Sequence, residues 1–464
     1  MTLALRLRRT PRSRTTFRAL RNSNYRRYAA GGVVSNTGTW MQRVAQDWLV
    51  LQLAANGAIA LGITTGLQFL PFLLFSPVAG LVADRVPKHR LLQLTNLMMA
   101  GPALVLGLLA VTGTAEIWHV YVLAFLLGTG AAFDAPARQS FVSEMVEPAD
   151  VTNAVGLNSA SFNAARLVGP AVAGLLIAAF GGDAVATGWV VLLNAATYAA
   201  PILALRRLDL SALAPAPPVQ RGRGRIVEGV RYVRGRPDLL LVLAVVFFAG
   251  TFGLKFQMTS ALMATEVFDR GATEFGLLGT FLAVGSLSGA LLAAGRERVR
   301  HRLIVGAAVA FGSLEIVAAF APTYLVFALL TPLMGVAAMT MITSANTFVQ
   351  LHTDSGMRGR VMALYLMIFL GGTPLGAPLV GWVGEAYGAR ATLLFGGAAT
   401  IAGTLLAAAL FLRHERSRGR VLTPVGGPSR LFPRVWDNQA VARARNQPAG
   451  PIAGGPGSST SVGQ

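Results

Sequence analysis

Twelve stretches of mostly apolar residues constrain this chain more than any other feature. They span 28–53, 61–83, 91–112, 118–138, 154–180, 189–205, 239–264, 275–295, 303–320, 324–349, 361–385 and 391–412. A helix of about 20 apolar residues crosses the hydrocarbon core of a bilayer. Backbone polar groups in lipid find partners only within the protein, so spanning segments of this kind are helical. The predicted fold class is therefore all-α integral membrane, with twelve transmembrane helices. Composition agrees: 53% of the 464 residues are hydrophobic and 13% are charged, against about 25% charged in soluble domains. A large soluble enzyme or scaffold is excluded.

The spans fall into two sets of six. Phe141, Leu157, Gly169, Gly174 and Gly181 recur as Phe348, Leu364, Gly376, Gly381 and Gly388, each 207 positions later. A constant displacement across several helices implies two six-helix pseudo-repeats joined head to tail. Parallel repeats of that kind build transporters that rock around a central site. The expected organisation is a basic amino terminus (1–27), a six-helix bundle (28–206), a middle loop (207–238), a second bundle (239–412) and a disordered basic tail (413–464).

A formal net charge of +20 points to nucleic acid in a soluble protein. Here the cations sit between apolar runs. Arg85, Lys88 and Arg90 follow the second span, Arg206, Arg207, Arg221, Arg223, Arg225, Arg231, Arg234 and Arg236 the sixth, Arg296, Arg298, Arg300 and Arg302 the eighth, and Arg358 and Arg360 the tenth. The opposite loops hold Glu116, Asp183, Glu266, Asp269 and Glu274, with Arg270 and Arg390 as their cations. Cationic loops stay in the cytoplasm, so both termini are expected there, in a bacterial cytoplasmic membrane, with no nucleic-acid partner. The amino-terminal Arg run has no short apolar core and cleavage site, so no removable signal peptide is expected. In the middle loop, 212–218 reads as an Ala/Pro linker. Ile226, Val230 and Val233 fall at helical spacing, predicting a short amphipathic helix on the inner membrane surface. The chain has no Cys, which removes disulfides and thiolate metal sites; no metal and no cofactor are expected. No phosphate-binding Gly-x-x-x-x-Gly-Lys-Ser/Thr loop, His-Glu-x-x-His or nucleophile elbow appears. His89, His119, His301, His352 and His414 lie near span ends or in loops.

The loop after the second span reads Gly80-Leu81-Val82-Ala83-Asp84-Arg85-Val86-Pro87-Lys88-His89-Arg90. It resembles the loop signature of the major facilitator superfamily, with Pro87 in place of that signature's second Gly. The segments Phe133-Asp134-Ala135-Pro136-Ala137-Arg138-Gln139, Arg166-Leu167-Val168-Gly169-Pro170 and Arg358-Gly359-Arg360-Val361-Met362 look like the branch that contains enterobactin exporters and macrolide efflux pumps. The resemblance covers roughly 17–412. It implies export and little about cargo. It also implies that Gly80, Asp84, Arg85 and Lys88 form a latch bracing the two halves in one state. A carboxylate at a helix end accepts charge-assisted hydrogen bonds that exist in that state only. Gly169, Pro170 and Gly174 resemble the kink of superfamily antiporters, without the full upstream run of glycines. A packing kink with no role in coupling is the plainer alternative.

Charges within spans cost roughly 2.5–3.5 kcal/mol on insertion scales and default to cavity, partner or proton roles. Asn36, Trp40, Arg43 and Asp47 share one face of the first span, where Arg43 and Asp47 are one turn apart. Asn158, Phe162, Arg166 and Gly169 share a face of the fifth. Arg166 needs a carboxylate, and Asp134 on the preceding helix is the candidate by depth. Proton-coupling candidates are Asp47 first and Asp134 second, with Arg43 and Arg166 beside them. Lys255 and Glu315 stand alone in apolar helices, Lys255 placed toward the cavity and Glu315 toward the lipid-facing periphery. Gln46, Gln68, Phe69, Phe162, Phe252, Gln257, Asn346 and Phe369 are candidates for an amphipathic cargo, although each taken singly fits helix packing as well.

The expected function is secondary efflux of an amphipathic small molecule (drug, antibiotic or siderophore) in exchange for protons, by a monomer in a lipid bilayer. Uptake by symport or facilitation is the second transport reading. A non-transporting receptor or scaffold on the same fold is the alternative from another class. A membrane enzyme fits least.

Overall fold

The computed structural model describes residues 17–54, 57–214, 225–294, 299–354 and 356–417. The Arg run at 6–14, linker positions 215–218, Arg221, Arg223, Arg296, Arg298 and the tail from 418 lie outside the described residues. Helices α1 (Ser23–Leu53), α2 (Gly57–Arg85), α3 (Lys88–Val111), α4 (Ile117–Met145), α5 (Val151–Ala179), α6 (Ala184–Thr197) and α7 (Ala199–Arg206) form the first half. After α8 (Arg225–Arg234) come α9 (Pro237–Phe248), α10 (Phe256–Leu262), α11 (Ala272–Ala294), α12 (His301–Ala319), α13 (Tyr324–His352), α14 (Arg358–Gly371), α15 (Thr373–Tyr387) and α16 (Ala389–Ser417). Eleven segments are long and apolar enough to cross a membrane. The 31-residue α1 packs beside α5 and α6 and makes a twelfth by length. Its polar stripe is what lowers its hydropathy. An even number of crossings puts Arg18 and Arg413 on one face, the terminal face; the opposite one is the far face.

The ends are set by local chemistry. The Asn22 side chain accepts from the Tyr25 N–H at 3.0 Å, and Asp183 accepts from the Ala186 N–H at 2.8 Å. Both satisfy amides that a helix start leaves open. Gly181 and Gly388, which the repeat pairs, both turn the chain at the far face with φ of +113° and +85°, a region that favours Gly. At the terminal face Asn24 exchanges hydrogen bonds of 2.8 and 2.9 Å with the backbone of Asp209. Hydrogen bonds from the Ser211 hydroxyl and N–H hold the Asp209 carboxyl below the usual carboxylate range.

Three spans are interrupted, which hydropathy alone did not anticipate. The sixth breaks at Tyr198, three residues before Pro201, and the eleventh at Gly372, two before Pro374; Pro supplies no N–H to the preceding turn. The seventh loosens into a π turn at Ala249–Gly253 before α10. The predicted amphipathic helix exists as α8, but its described face packs on α14 rather than lying free. Gly229 sits against Leu364 and Arg360, Val233 is buried, and Arg360 pairs with Glu228 at 2.8 Å.

Packing differs between the two faces. Toward the far face one apolar core runs through both halves, with Leu49, Leu61 and Ile177 packed in the same cluster as Leu262, Phe275 and Val380. Toward the terminal face it splits. Tyr25, Leu92 and Phe141 belong to a cluster of the first half, and Leu239, Phe348 and Tyr365 to a cluster of the second. Two seams hold the halves together. On α5 against α11, a Cβ at Gly174 would lie 2.4 Å from the Ala272 carbonyl oxygen, and one at Gly276 would lie 2.3 Å from that of Pro170. On α15 against α2, a Cβ at Gly381 would lie 2.5 Å from the Ala58 oxygen, and one at Gly62 would lie 2.6 Å from that of Ala377. Pro170 and Gly174 map onto Ala377 and Gly381 by the same 207-residue displacement. The seams are therefore one contact built twice.

Filling a seam should open it. Overpacking of this kind costs about 1–3 kcal/mol, roughly a 5- to 150-fold shift of an equilibrium. The absence of native Cys makes the measurement clean. Ala58, 1% exposed, becomes the reporter in Ala58→Cys. A maleimide should label it several-fold faster when Gly276→Val is added on the other seam; an unchanged rate would mean the seams do not act together.

Candidate functional site

The polar stripe of α1 ends up facing α5 and α2. Gly169 permits this: a Cβ there would lie 2.6 Å from the Trp40 Cβ. The Trp40 ring meets Phe162 edge-on, centroids 5.7 Å apart at 70°. It also receives two cations, with the Arg43 Cζ 4.6 Å and the Arg166 Cζ 5.5 Å from its centroid. Arg43 reaches 6.0 Å from the Phe69 centroid as well. Gln46, Gln68, Phe69 and Arg43 line a small cavity of about 70 Å³ beside this cluster. Residues predicted on three different helices thus meet in one place. Asn36 and Asn158 are half-buried on the same faces, and Phe162 is 46% exposed.

Two expected pairings do not form. Arg166 does not reach Asp134. The Asp134 carboxylate is occupied by the Arg138 Nε at 2.6 Å, one turn along α4, and by the Thr95 hydroxyl at 2.8 Å. Arg43 and Asp47 close no ion pair either, because the guanidinium turns back over Trp40. Asp47 is buried, facing Arg43 and Gln257 of α10. The Asp47–Gln257 contact joins the two halves.

The second half holds a separate polar group at its helix breaks. The Lys255 ammonium donates to the Gly250 carbonyl at 2.7 Å and to the Thr373 hydroxyl at 2.8 Å. The first acceptor lies in the π turn and the second at the start of α15. Glu315 is not at the lipid-facing periphery. It is 1% exposed, packed near Gly253 and Gly396, with Lys255 as the charge that faces it. A carboxylate oxygen of Glu315, the Thr251 hydroxyl and the Thr400 hydroxyl are buried without a hydrogen-bond partner among the described residues. Phe252 stacks edge-on with Phe395 at 5.7 Å, Phe369 lies against Tyr365 at 6.2 Å, and Asn346 accepts from Gln350. All three of these contacts lie within the second half, and each of the three residues is half-buried.

At the terminal face, α2 ends at Arg85 and Pro87 starts α3, with its carbonyl accepting from the Leu91 N–H at 3.1 Å. Pro87 therefore acts as a helix start where the superfamily signature has Gly. Gly80 and Asp84 are half-buried and Arg85 is exposed. Lys88 pairs with Glu144 at the end of α4. Glu144, 6% exposed, was missed in the sequence. The available signal was a carboxylate at a helix end facing a basic loop.

The family profile described as "transmembrane secretion effector" matches residues 14–452. The multidrug efflux pump Tap of Mycolicibacterium fortuitum is 32% identical over 374 residues, which is 78% of this chain and 89% of that protein. The staphyloferrin A transporter of Staphylococcus aureus is 24% identical over 80% of this chain and 91% of its own length. Among solved structures, a bacterial homologue of iron transporter ferroportin in an inward-facing state superposes with a TM-score of 0.64 at 15% identity, covering 84% of this chain and 98% of that one. That likeness concerns the fold alone. With the duplicated bundles, the paired seams and the family profile in agreement, the chain belongs to the transmembrane secretion effector family of the major facilitator superfamily.

Proposed function

We propose that this protein exports an amphipathic small molecule in exchange for protons, by alternating access. It works as a monomer in a bacterial cytoplasmic membrane with both termini in the cytoplasm. It is a membrane transporter and not an enzyme. Efflux is the activity named for the Tap pump. The observation that carries the mechanism is the core that is continuous at the far face and divided at the terminal face. Such an arrangement admits cargo from the terminal side while the seams exclude the far side. Parting the glycine seams and closing the terminal ends gives the second state. The chamber between is lined by aromatic rings with a few polar anchors, as suits an amphipathic ligand.

Asp47 is the proposed proton carrier. Its contact with Gln257 crosses the halves, so parting the seams changes its surroundings, and a carboxyl whose surroundings change exchanges its proton. Asp134 is proposed as a structural anchor, because Arg138 and Thr95 lie within the same half and hold it in either state. Gly169 brings α5 onto Trp40, and Pro170 with Gly174 shapes the seam, so this kink is proposed to control closure. Asp84, Arg85 and Lys88 are proposed to close the terminal face in the opposite state, with Glu144 holding Lys88 in readiness.

Inverted vesicles with an imposed pH gradient test the carrier. Asp47→Asn should abolish proton counterflow and lower cargo accumulation at least tenfold, about 1.4 kcal/mol or more of lost coupling. Asp134→Asn should instead leave Arg138 unpaired and cost about 3–5 kcal/mol of stability, read as lower yield and thermal midpoint. Wild-type counterflow in Asp47→Asn would remove the assignment.

The latch has its own check. Asp84→Asn should slow turnover several-fold, consistent with losing about 1 kcal/mol in one state only, while cargo affinity in detergent stays near wild type. Full turnover would dismiss the latch.

A further inference from the structure

Arg43 and Arg166 are both drawn to the Trp40 ring, yet neither donates a hydrogen bond or closes an ion pair among the described residues. Other charged groups described in the interior of the two halves do have partners. Arg138 has Asp134, Lys88 has Glu144, and Lys255 has a carbonyl and a hydroxyl. Glu315 has Lys255 facing it. A cation–π contact recovers only part of the cost of desolvating a guanidinium. The two cations also repel one another. Asp47 is the carboxylate facing Arg43, so the cluster is one negative charge short. Beside it lie Phe162, Phe69 and a small cavity with three amides, Gln42, Gln46 and Gln68.

We propose that Arg43 and Arg166 form a binding site for a carboxylate carried on an aromatic or other apolar body, so that the exported cargo is an amphipathic anion. The inference rests on reading the Trp40 region as the transport chamber. A guanidinium presents a planar fork of N–H groups that matches a carboxylate, and the neighbouring rings take up the apolar body. Arriving cargo supplies the missing charge, holds α1 and α5 to one ligand, and replaces the repulsion between the two cations by a shared anion. In a cell with a negative interior, the membrane potential also favours the outward movement of an anion.

The test is equilibrium binding to the full chain in lipid nanodiscs, by calorimetry, with three probes on one ring system: naphthoate, naphthylmethanol and naphthylmethylammonium. Naphthoate should bind at least tenfold more tightly than the ammonium probe. Arg43→Gln and Arg166→Gln should each weaken naphthoate about tenfold and leave naphthylmethanol within twofold, which also reports that the variants are folded. Arg166→Lys should recover part of the loss. Equal or tighter binding of the ammonium probe, no preference for naphthoate over naphthylmethanol, or an anion preference that survives in both Gln variants would each overturn the proposal. No gradient enters this measurement. Failure of proton counterflow in vesicles would remove the antiport reading and leave the anion site standing, and loss of the anion preference would do the reverse.

Discussion

Contact of glycine with backbone carbonyl is the constraint on which the rest of the structure depends. Lipid tails are as apolar as the helix surfaces, so helix association in a membrane relies on close packing rather than on a hydrophobic drive. At Gly174, Gly276, Gly62 and Gly381 the approach leaves no room for a Cβ. A seam made of such contacts parts without stranding a buried charge. Ion pairs in the same place would resist opening, because separating a buried pair leaves each partner uncompensated. The two seams repeat one kind of contact, a glycine against a backbone carbonyl, on either side of the line between the halves.

The division of the core follows from the seams. Where glycines allow backbone contact, Leu61 and Val380 join Leu262 and Phe275 in one cluster. Where the spans carry larger side chains toward the terminal face, each half closes upon itself around Phe141 or Phe348. Those two residues are also a repeat pair. The same packing position of the repeat is thus filled in both halves, each within its own cluster.

Much of this was legible beforehand. Span length, hydropathy and the 207-residue displacement are periodic signals, and periodicity survives the absence of any tertiary information. Side-chain partnerships were less accessible. Two carboxylate–arginine pairs stand four apart on helices, Asp134 with Arg138 and Arg43 with Asp47, and only the first forms an ion pair. The order explains the difference. Long helical side chains lean toward the amino terminus, so Arg138 reaches back to Asp134, whereas Arg43 reaches back to Trp40 and away from Asp47. The acid-before-base order is the favourable one in helices generally. Applied to the sequence, that rule assigns Asp134 to Arg138 and leaves Arg166 without a carboxylate. Of the broken spans, Pro201 and Pro374 were visible signals, while the π turn at Ala249–Gly253 has no Pro to announce it.

The break at Gly372 gives α15 two attachments at once. Its first residue, Thr373, accepts from Lys255, and Gly376 lies so close to the Thr251 carbonyl that a Cβ would fall 1.8 Å from the oxygen. Two turns on, Gly381 makes the seam with Ala58 of the other half. A continuous helix would carry α14 along with any movement of the seam. With the break, α14 packs against α2, α8 and α9 while α15 runs to the seam in a different direction of packing. Helix α15 thus connects the seam at Gly381 to Thr373, and so to the ammonium that also holds the π-turn carbonyl of Gly250. Glu315 has that ammonium as its neighbouring charge. Helix interruptions that lie deep in the protein are tolerated only where side chains satisfy the freed backbone. Here the side chain that does so, at the Gly250 carbonyl, is Lys255.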